Sequence, residues 1–179
     1  MPTSKTQNKT KKTSVKTAQK SSDIPEFIEG IPTQRRFKDE RRNLVKKYYC
    51  DLWRDLQRKR NSIQGWNYIH NDYLGVKVYI DKNESDKKTE GIAQNHWKST
   101  YAVKHLYDVV RHAKPLGDDV EIDKTGSKTQ GKNGYKKLII LYHQFTSPKH
   151  YLNFTVKLTI GVKADKQHIQ YSVCKVKVE

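Results

Sequence analysis

The alternation of apolar and polar positions predicts a long helix early in the chain. Residues 36–60 contain neither glycine nor proline, and apolar side chains recur there every four residues, at Leu44, Tyr48, Leu52 and Leu56. That interval places them on one face of an α-helix, with charged residues on the other. The sequence therefore predicts an amphipathic helix over residues 35–61.

The last third of the chain has the alternation typical of strands. Residues 137–145, 154–162 and 167–178 are rich in β-branched and aromatic side chains and are separated by short polar turns. This spacing predicts an antiparallel meander of three strands. In the third segment the apolar positions change parity between Val173 and Val176, which predicts a β-bulge near Cys174.

The middle of the chain has weaker patterns. A strand is predicted at about residues 73–80, where Val76, Val78 and Ile80 alternate with polar neighbours. A second helix is predicted over residues 96–113, ended by Pro115 and Gly117. Residues 81–90 and 117–134 are polar and are predicted to be loops.

Composition changes sharply along the chain and suggests its organisation. Residues 1–22 have almost no apolar side chains and no acid, so we predict a disordered basic tail. Residues 23–34 contain two prolines and a glycine and are predicted to be an extended linker that docks on another part of the protein. Residues 35–179 then form a single domain, with the long basic helix at 35–61 and a helix-on-sheet core at 66–179. The predicted fold class is α+β, with two helices packed on a small, mainly antiparallel sheet.

The net charge of +17, with a pI near 9.8, favours a polyanionic partner. A surface that merely keeps the protein in solution is the alternative. Nucleic acid, either RNA or DNA, is the partner that we predict. The candidate contacts are the cations of the long helix and its start, at Arg35, Arg36, Arg41, Arg42, Lys46, Lys47, Arg54, Arg58, Lys59 and Arg60. Whether a protein partner also binds, and in what oligomeric state, stays open.

Long apolar runs and cysteine motifs are both missing from the sequence. We therefore predict no secretory signal, no membrane helix and a cytoplasmic location. Cys50 and Cys174 have no cysteine or histidine near them at a metal-ligand spacing, so neither a disulfide framework nor a zinc site is predicted. No cofactor is predicted.

Seven histidines invite a catalytic interpretation. His105 and His112 lie two turns apart on the predicted second helix, and together with His96 they are candidates to line a cleft against the sheet. The alternative is that they are ordinary surface residues. His105 and His112 are too far apart to share a metal ion without another ligand, so no metal site is predicted.

The predicted sheet carries aromatic, basic and hydroxyl side chains. These residues are Tyr135, Lys136, Tyr142, His143, Lys157, Thr159 and Tyr171. One face of the sheet is therefore a candidate for stacking and phosphate contacts with single-stranded nucleic acid. Tyrosine and threonine are also favoured on any half-exposed strand, which is the alternative explanation.

The order of elements from about residue 75 to 179 is similar to that of a known group of domains. The strand at 76–80, the helix that ends in His112-Ala113, and the segment VKLTIGV followed by a tyrosine-containing strand carry the likeness. This part resembles the large polyvalent protein-associated domains of phages and mobile elements, especially those similar to the barnase, EndoU, colicin and RelE nuclease fold. The resemblance implies helices on a small antiparallel sheet, and either a ribonuclease or an inactive domain that accompanies such enzymes. Such nucleases share no fixed motif; the residues here that would fill catalytic roles are His105, Lys157, Thr159 and Tyr171.

Three functions are therefore compatible with the sequence, and whether the protein is an enzyme stays open. The first is a nucleic-acid-associated accessory protein of a phage or mobile element, which binds phosphate backbones through its basic arm and helix. The second is a metal-independent ribonuclease. The third is a non-catalytic structural or assembly protein whose charge has another purpose.

Overall fold

The computed structural model describes residues 24–63, 66–80, 91, 93–123 and 134–179. The predicted tail (1–22) and the predicted loop at 81–90 lie outside these residues. The described part has an α+β fold, as predicted, with helices packed on a mainly antiparallel sheet.

Nine strands are described. They are β1 (Phe27–Ile28), β2 (Ile31–Pro32), β3 (Ser62–Ile63), β4 (Trp66–Asn71), β5 (Val76–Tyr79), β6 (Glu121–Asp123), β7 (Tyr135–Thr146), β8 (Asn153–Lys163) and β9 (His168–Val178). The first two form a small hairpin, and the other seven form one sheet in the order β3-β4-β5-β9-β8-β7-β6. Neighbouring strands of the sheet are antiparallel except β5 and β9, which are parallel.

The predicted long helix is confirmed as α1 (Lys38–Arg58), which a 3₁₀ turn at Arg35–Phe37 precedes. The prediction of one continuous second helix is wrong. Two short helices, α2 (Trp97–Lys104) and α3 (Leu106–His112), are separated at His105, where the backbone leaves the helical region with φ −103° and ψ 22°. No helix in the described part of the chain is long and apolar enough to cross a membrane.

The strand predicted at 73–80 is also corrected. Residues 72–75 form a turn between β4 and β5, in which Gly75 adopts a positive φ of 67°. The side-chain amide of Asn71 fixes this turn: it donates to the carbonyls of Val110 at 2.7 Å and Ala113 at 3.0 Å, and its oxygen accepts the Leu74 N–H at 2.8 Å. The turn is thus tied to the end of α3. Likewise, the loop predicted at 117–134 contains β6, and its residues 124–133 lie outside the described residues.

The predicted meander and its bulge are confirmed. Strand β8 pairs antiparallel with both β7 and β9. The β8–β9 register shifts between Thr155 and Lys157, opposite which Lys175 has a φ of 51°. The extra residue restores the alternation, so Val173, Val176 and Val178 all contact the same core.

All three helices pack on one face of the sheet. Val45, Tyr49 and Leu56 of α1 join α2, α3 and the even-numbered residues 154–162 of β8 in one apolar cluster. The segment predicted as a docking linker forms the β1–β2 hairpin, in which Ile28 and Ile31 are fully buried in this cluster. Because side chains alternate along a strand, the odd-numbered residues of β8 lie on the other face, which we call the helix-free face.

Candidate nucleic-acid interface

The outer side of α1 carries a regular row of cations. Apolar residues of the helix pack toward the sheet, and five exposed cations are spaced along it at multiples of four residues, at Lys38, Arg42, Lys46, Arg54 and Arg58. Residues four apart are about 6 Å apart along the axis and about 40° apart around it, so the series winds around the exposed surface of the helix. We call this series the α1 stripe; it follows a helix of 21 residues, roughly 31 Å long.

Further cations flank the stripe. Arg35, Arg36, Lys47, Lys59 and Arg60 are also exposed, so nine of the ten predicted contacts reach the surface. Acidic neighbours on the helix compensate part of the charge: Arg54 lies 3.7 Å from Asp51, and Arg58 lies 3.8 Å from Asp55. A hydrogen bond from Lys59 holds the pKa of Asp55 below its usual value. These pairs are exposed and therefore weak, so an incoming phosphate competes with them easily.

Arg41 is the exception, and its prediction as a nucleic-acid contact is wrong. Its side chain is 1% exposed. The guanidinium donates to the carbonyl of Gln94 at 2.9 Å, of Pro32 at 3.1 Å and of Gln34 at 2.6 Å. Arg41 therefore ties the β1–β2 hairpin and the start of α1 to the segment before α2. A helix with cations on most of its polar positions gives no sign in its sequence of which one turns inward.

The start of α1 borders a groove of about 680 Å³. Arg35, Lys38 and His96 line it together with Thr33, Asn95 and Trp97. His96 thus extends the basic surface at the N-terminal end of the α1 stripe. Its predicted position in one cleft with His105 and His112 is wrong, because His112 lines a different cleft and His105 packs against Tyr101 and Phe145.

The four residues proposed for catalysis do not come together. Lys157, Thr159 and Tyr171 lie on the helix-free face, where Lys157 pairs with Tyr142 and Thr159 with Ile140. His105 lies on the other face of the sheet, with its ring 4.7 Å from the ring of Tyr101 and 5.4 Å from that of Phe145. The period of a strand places Lys157 and Thr159 opposite the residues that the helices cover. A single site cannot contain all four.

His105 is half-buried and packs against aromatic residues of the core. Its Nε2 is buried and has no hydrogen-bond partner. Burial lowers the pKa of His105, and the charge of Lys104 lowers it further. The ring is therefore a neutral aromatic group in the core at neutral pH.

Most of the sheet residues predicted to face a nucleic acid share the helix-free face. Tyr135, Tyr142, Lys157, Thr159 and Tyr171 lie there, Lys136 is exposed at an irregularity of the β7–β8 register, and His143 lies on the opposite face. The ring of Tyr135 covers Gly161, where an added Cβ would come within 2.5 Å of it. Thr159 is only 6% exposed. The middle of this face is therefore closely packed.

A second group of titratable residues lies in a cleft of about 750 Å³ at the end of α3. The cleft is lined by Tyr73, His112, Lys114, Tyr142 and His143, among others. The rings of His112 and His143 are 5.9 Å apart. An isolated bridge, in which Lys114 and Tyr142 exchange backbone hydrogen bonds of 2.9 and 2.8 Å, holds this end of α3 against β7.

The two histidines of this cleft have different surroundings. His112 Nδ1 lies 3.2 Å from Asp72 Oδ2, which also accepts a hydrogen bond from Arg111 Nε at 3.2 Å. Burial lowers the pKa of His143, and the neighbouring His112 lowers it further. The cleft thus combines a carboxylate-paired imidazole with one that favours its neutral form. Sequence reasoning missed the pair because His112 and His143 are brought together only by the packing of α3 on β7.

Comparisons of this chain with protein-family models, with curated proteins and with solved structures gave no match. The resemblance to the polyvalent protein-associated domains therefore stays a prediction. The function has to be argued from the chain's own residues.

Proposed function

We propose that this protein binds the phosphate backbone of nucleic acids through the α1 stripe. The observation that supports the proposal is the series of five exposed cations that are spaced along the whole length of α1. The net charge of +17 adds a long-range attraction for the same partner. We propose that the protein acts in the cytoplasm as an accessory to other nucleic-acid-binding proteins.

The stripe suits a polymer better than a single small anion. Its cations are repeated over roughly 31 Å, so they can contact several phosphates in succession. Each neutralised phosphate releases counterions, and the logarithm of the affinity falls with the logarithm of the salt concentration by about 0.7 to 0.9 per contact. Four or five contacts therefore produce a steep and measurable dependence on salt.

A charge-reversal variant tests the proposal. Arg42, Lys46 and Arg54 are changed to glutamate together, and binding of labelled RNA and DNA is measured over a range of salt concentrations. We expect affinity at low salt to fall by more than about 100-fold and the salt slope to become shallower, since each lost phosphate contact removes its own counterion release.

A matched control distinguishes loss of contacts at the α1 stripe from a general effect of the lower net charge. Lys137, Lys149 and Lys177 are exposed on β7, the β7–β8 turn and β9, and their change to glutamate alters the net charge by the same amount. This control should lose only a small part of the affinity. Equal losses in both variants, or an affinity that does not depend on salt, would contradict the α1 site and favour a structural or assembly role.

The His112–His143 cleft favours a second candidate, metal-independent ribonuclease activity. In this reaction the neutral His143 takes the proton of the ribose 2′-hydroxyl, whose oxygen attacks the adjacent phosphorus. His112, whose Nδ1 faces Asp72, serves as the general acid and gives a proton to the departing 5′-oxygen, so a 2′,3′-cyclic phosphate and a 5′-hydroxyl result. Lys114 supplies positive charge for the phosphate during the attack.

Cleavage of labelled RNA in excess chelator tests this candidate. His112→Ala and His143→Ala should each abolish cleavage, whereas His105→Ala should not. DNA, which has no 2′-hydroxyl, should remain intact. If RNA stays intact with the wild-type protein, the cleft is not a ribonuclease site; if the two histidine variants retain activity, another site performs it.

A further inference from the structure

An aromatic surface lies at the β3 end of the sheet, on the helix-free face. It is formed by alternate residues of two neighbouring strands, Trp66, Tyr68 and His70 of β4 and Lys77 and Tyr79 of β5. We call these five residues the aromatic patch. Trp66 is 40% exposed, His70 and Lys77 are exposed, and the two tyrosines are partly exposed.

The strand register fixes the geometry of the patch. Tyr68 pairs with Tyr79 and His70 with Lys77, so the five side chains form two adjacent rows. The rings of Tyr68 and Tyr79 meet edge to face, with centroids 6.1 Å apart. Lys77 Nζ lies 4.8 Å from the centre of the Tyr68 ring. Aromatic faces and a cation are therefore next to each other on one surface.

Acidic groups are confined to the rim of the patch. His70 Nδ1 lies 3.9 Å from Asp72 in the β4–β5 turn. Beside Lys77 and Tyr79 is a groove of about 430 Å³, which Lys166, His168 and Asp165 also line. Lys77 and Lys166 balance Asp72 and Asp165 in number, but Lys77 lies directly over an aromatic ring, whereas the two carboxylates lie at the rim.

The patch is continuous with the end of α1. The helix ends at Arg58, and Lys59 and Arg60 lead into β3, whose Ile63 pairs with Trp66 of the patch. Within the described residues, β3, an edge strand of two residues, lies between the last cations of the helix and the first aromatic ring. The edge of the sheet at β3 is therefore where the end of α1 comes nearest in sequence to the patch.

We propose that the aromatic patch stacks the unpaired bases of single-stranded nucleic acid whose backbone lies on the α1 stripe. The inference rests on the proposed phosphate binding and adds the class of nucleic acid. Alternate residues of a strand are about 7 Å apart, roughly twice the 3.4 Å rise per nucleotide of a stacked strand. Each ring therefore receives its own base only from an unstacked strand, because the base faces of a duplex are covered by their neighbours.

The test compares a single-stranded uridine oligonucleotide with the duplex that it forms with its adenosine complement. The variant Trp66→Leu keeps an apolar side chain but removes the ring, and a second variant adds Tyr79→Leu. Tyr151→Leu is the control, since Tyr151 is an exposed tyrosine on the β7–β8 turn, 81% exposed. Thermal unfolding establishes that each variant is folded.

We expect the wild-type protein to prefer the single strand, and Trp66→Leu to lose about ten-fold of that affinity, with a larger loss in the double variant. The salt slope should not change, because stacking releases no counterions from phosphates. Duplex binding, and both affinities of the Tyr151→Leu control, should stay the same.

Three outcomes would overturn the inference, and they can be told apart. Equal affinity for single strand and duplex, with no effect of Trp66→Leu, rejects the patch and leaves the α1 site intact. If Trp66→Leu reduces the oligomeric size of the protein without nucleic acid, the patch contacts a second copy of the chain. If neither oligonucleotide binds, the proposed function fails and the inference fails with it.

Discussion

The inner and outer sides of α1 show how burial decides what a charged residue does. Arg41 and Arg42 are neighbours in the sequence, yet Arg41 is buried and donates hydrogen bonds to several backbone carbonyls, whereas Arg42 is exposed on the α1 stripe. A buried cation is costly unless hydrogen bonds satisfy it, and its removal leaves its partners unsatisfied. An exposed cation contributes little to the fold, because water screens its interactions with neighbouring groups. The following predictions test this division.

Arg41→Ala should produce the largest effect on stability. It leaves the carbonyls of Pro32, Gln34 and Gln94 without their donor and opens a cavity under the hairpin. We expect a loss of about 3 kcal/mol or more in the free energy of unfolding, measured by urea denaturation. Arg42→Ala is the matched control and should change stability by less than about 1 kcal/mol. Similar losses in both variants would mean that the two sides of α1 do not differ in what their arginines contribute to stability.

Glu29 is the acidic counterpart of Arg41 on the buried side. It lies in the β1–β2 turn and accepts hydrogen bonds from Tyr101 Oη at 2.7 Å, Ser147 Oγ at 3.0 Å and Lys104 Nζ at 3.1 Å. Burial alone raises the pKa of Glu29, but these hydrogen bonds outweigh it and hold the pKa at about 2. Burial raises the pKa of Tyr101 to about 12, and the Glu29 carboxylate adds to this effect. This network locks the hairpin onto α2 and the β7–β8 turn.

The depressed pKa of Glu29 leads to the second prediction, which concerns the pH dependence of the free energy of unfolding. The ordinary pKa is 4.5, so the stabilising contribution is complete above that value and is lost as the pH falls toward 2. Glu29→Gln should therefore cost about 2 kcal/mol of unfolding free energy at neutral pH and should flatten the pH dependence between these values. Urea denaturation at a series of pH values measures both. A wild-type stability that does not change over this window would show that the network contributes nothing.

The comparison also indicates what the sequence could reveal. The four-residue period of α1 and the alternation of the last three strands predicted those elements, because a periodic pattern repeats many times within each. The shift in parity before Val176 was enough to locate a bulge. Residue 105 gave no such signal, since the apolar period of Tyr101, Leu106 and Val109 continues across the break between α2 and α3.

The candidate sites were less accessible to sequence reasoning than the fold. The exposed cations of α1 were predictable because they follow from the helical period. The inward position of Arg41, the separation of His105 from Lys157 by the sheet, and the meeting of His112 with His143 all depend on contacts between residues far apart in sequence. The alternation along a strand shows that Lys157 and Val156 lie on opposite faces of the sheet, but it does not show which face the helices cover.

His105 provides a third, smaller test, because its Nε2 is buried without a hydrogen-bond partner. Burial lowers its pKa from 6.5, so the unfolded chain binds the proton more readily and stability falls as the pH drops below about 6.5. His105→Phe removes the unsatisfied Nε2 and keeps an aromatic ring beside Tyr101 and Phe145. We expect stability to stay the same or rise by up to about 1 kcal/mol, with a weaker pH dependence below 6.5. Binding and any RNA cleavage should be unchanged; loss of cleavage would return His105 to the list of catalytic candidates.

The smallest expected effect on stability belongs to Arg54, on the outer side of α1. Its ion pair with Asp51 spans 3.7 Å between side chains that are 71% and 52% exposed, so water screens it and neither group is desolvated. Arg54→Ala should change the unfolding free energy by less than about 0.5 kcal/mol, while reducing affinity for RNA several-fold at low salt. Urea denaturation and a binding titration on the same preparation measure the two effects together. A loss of stability above about 1 kcal/mol would show that the charge of Arg54 supports the fold. Unchanged binding would show that Arg54 does not contact the nucleic acid. Either result would contradict the assignment of this side of α1 to a partner.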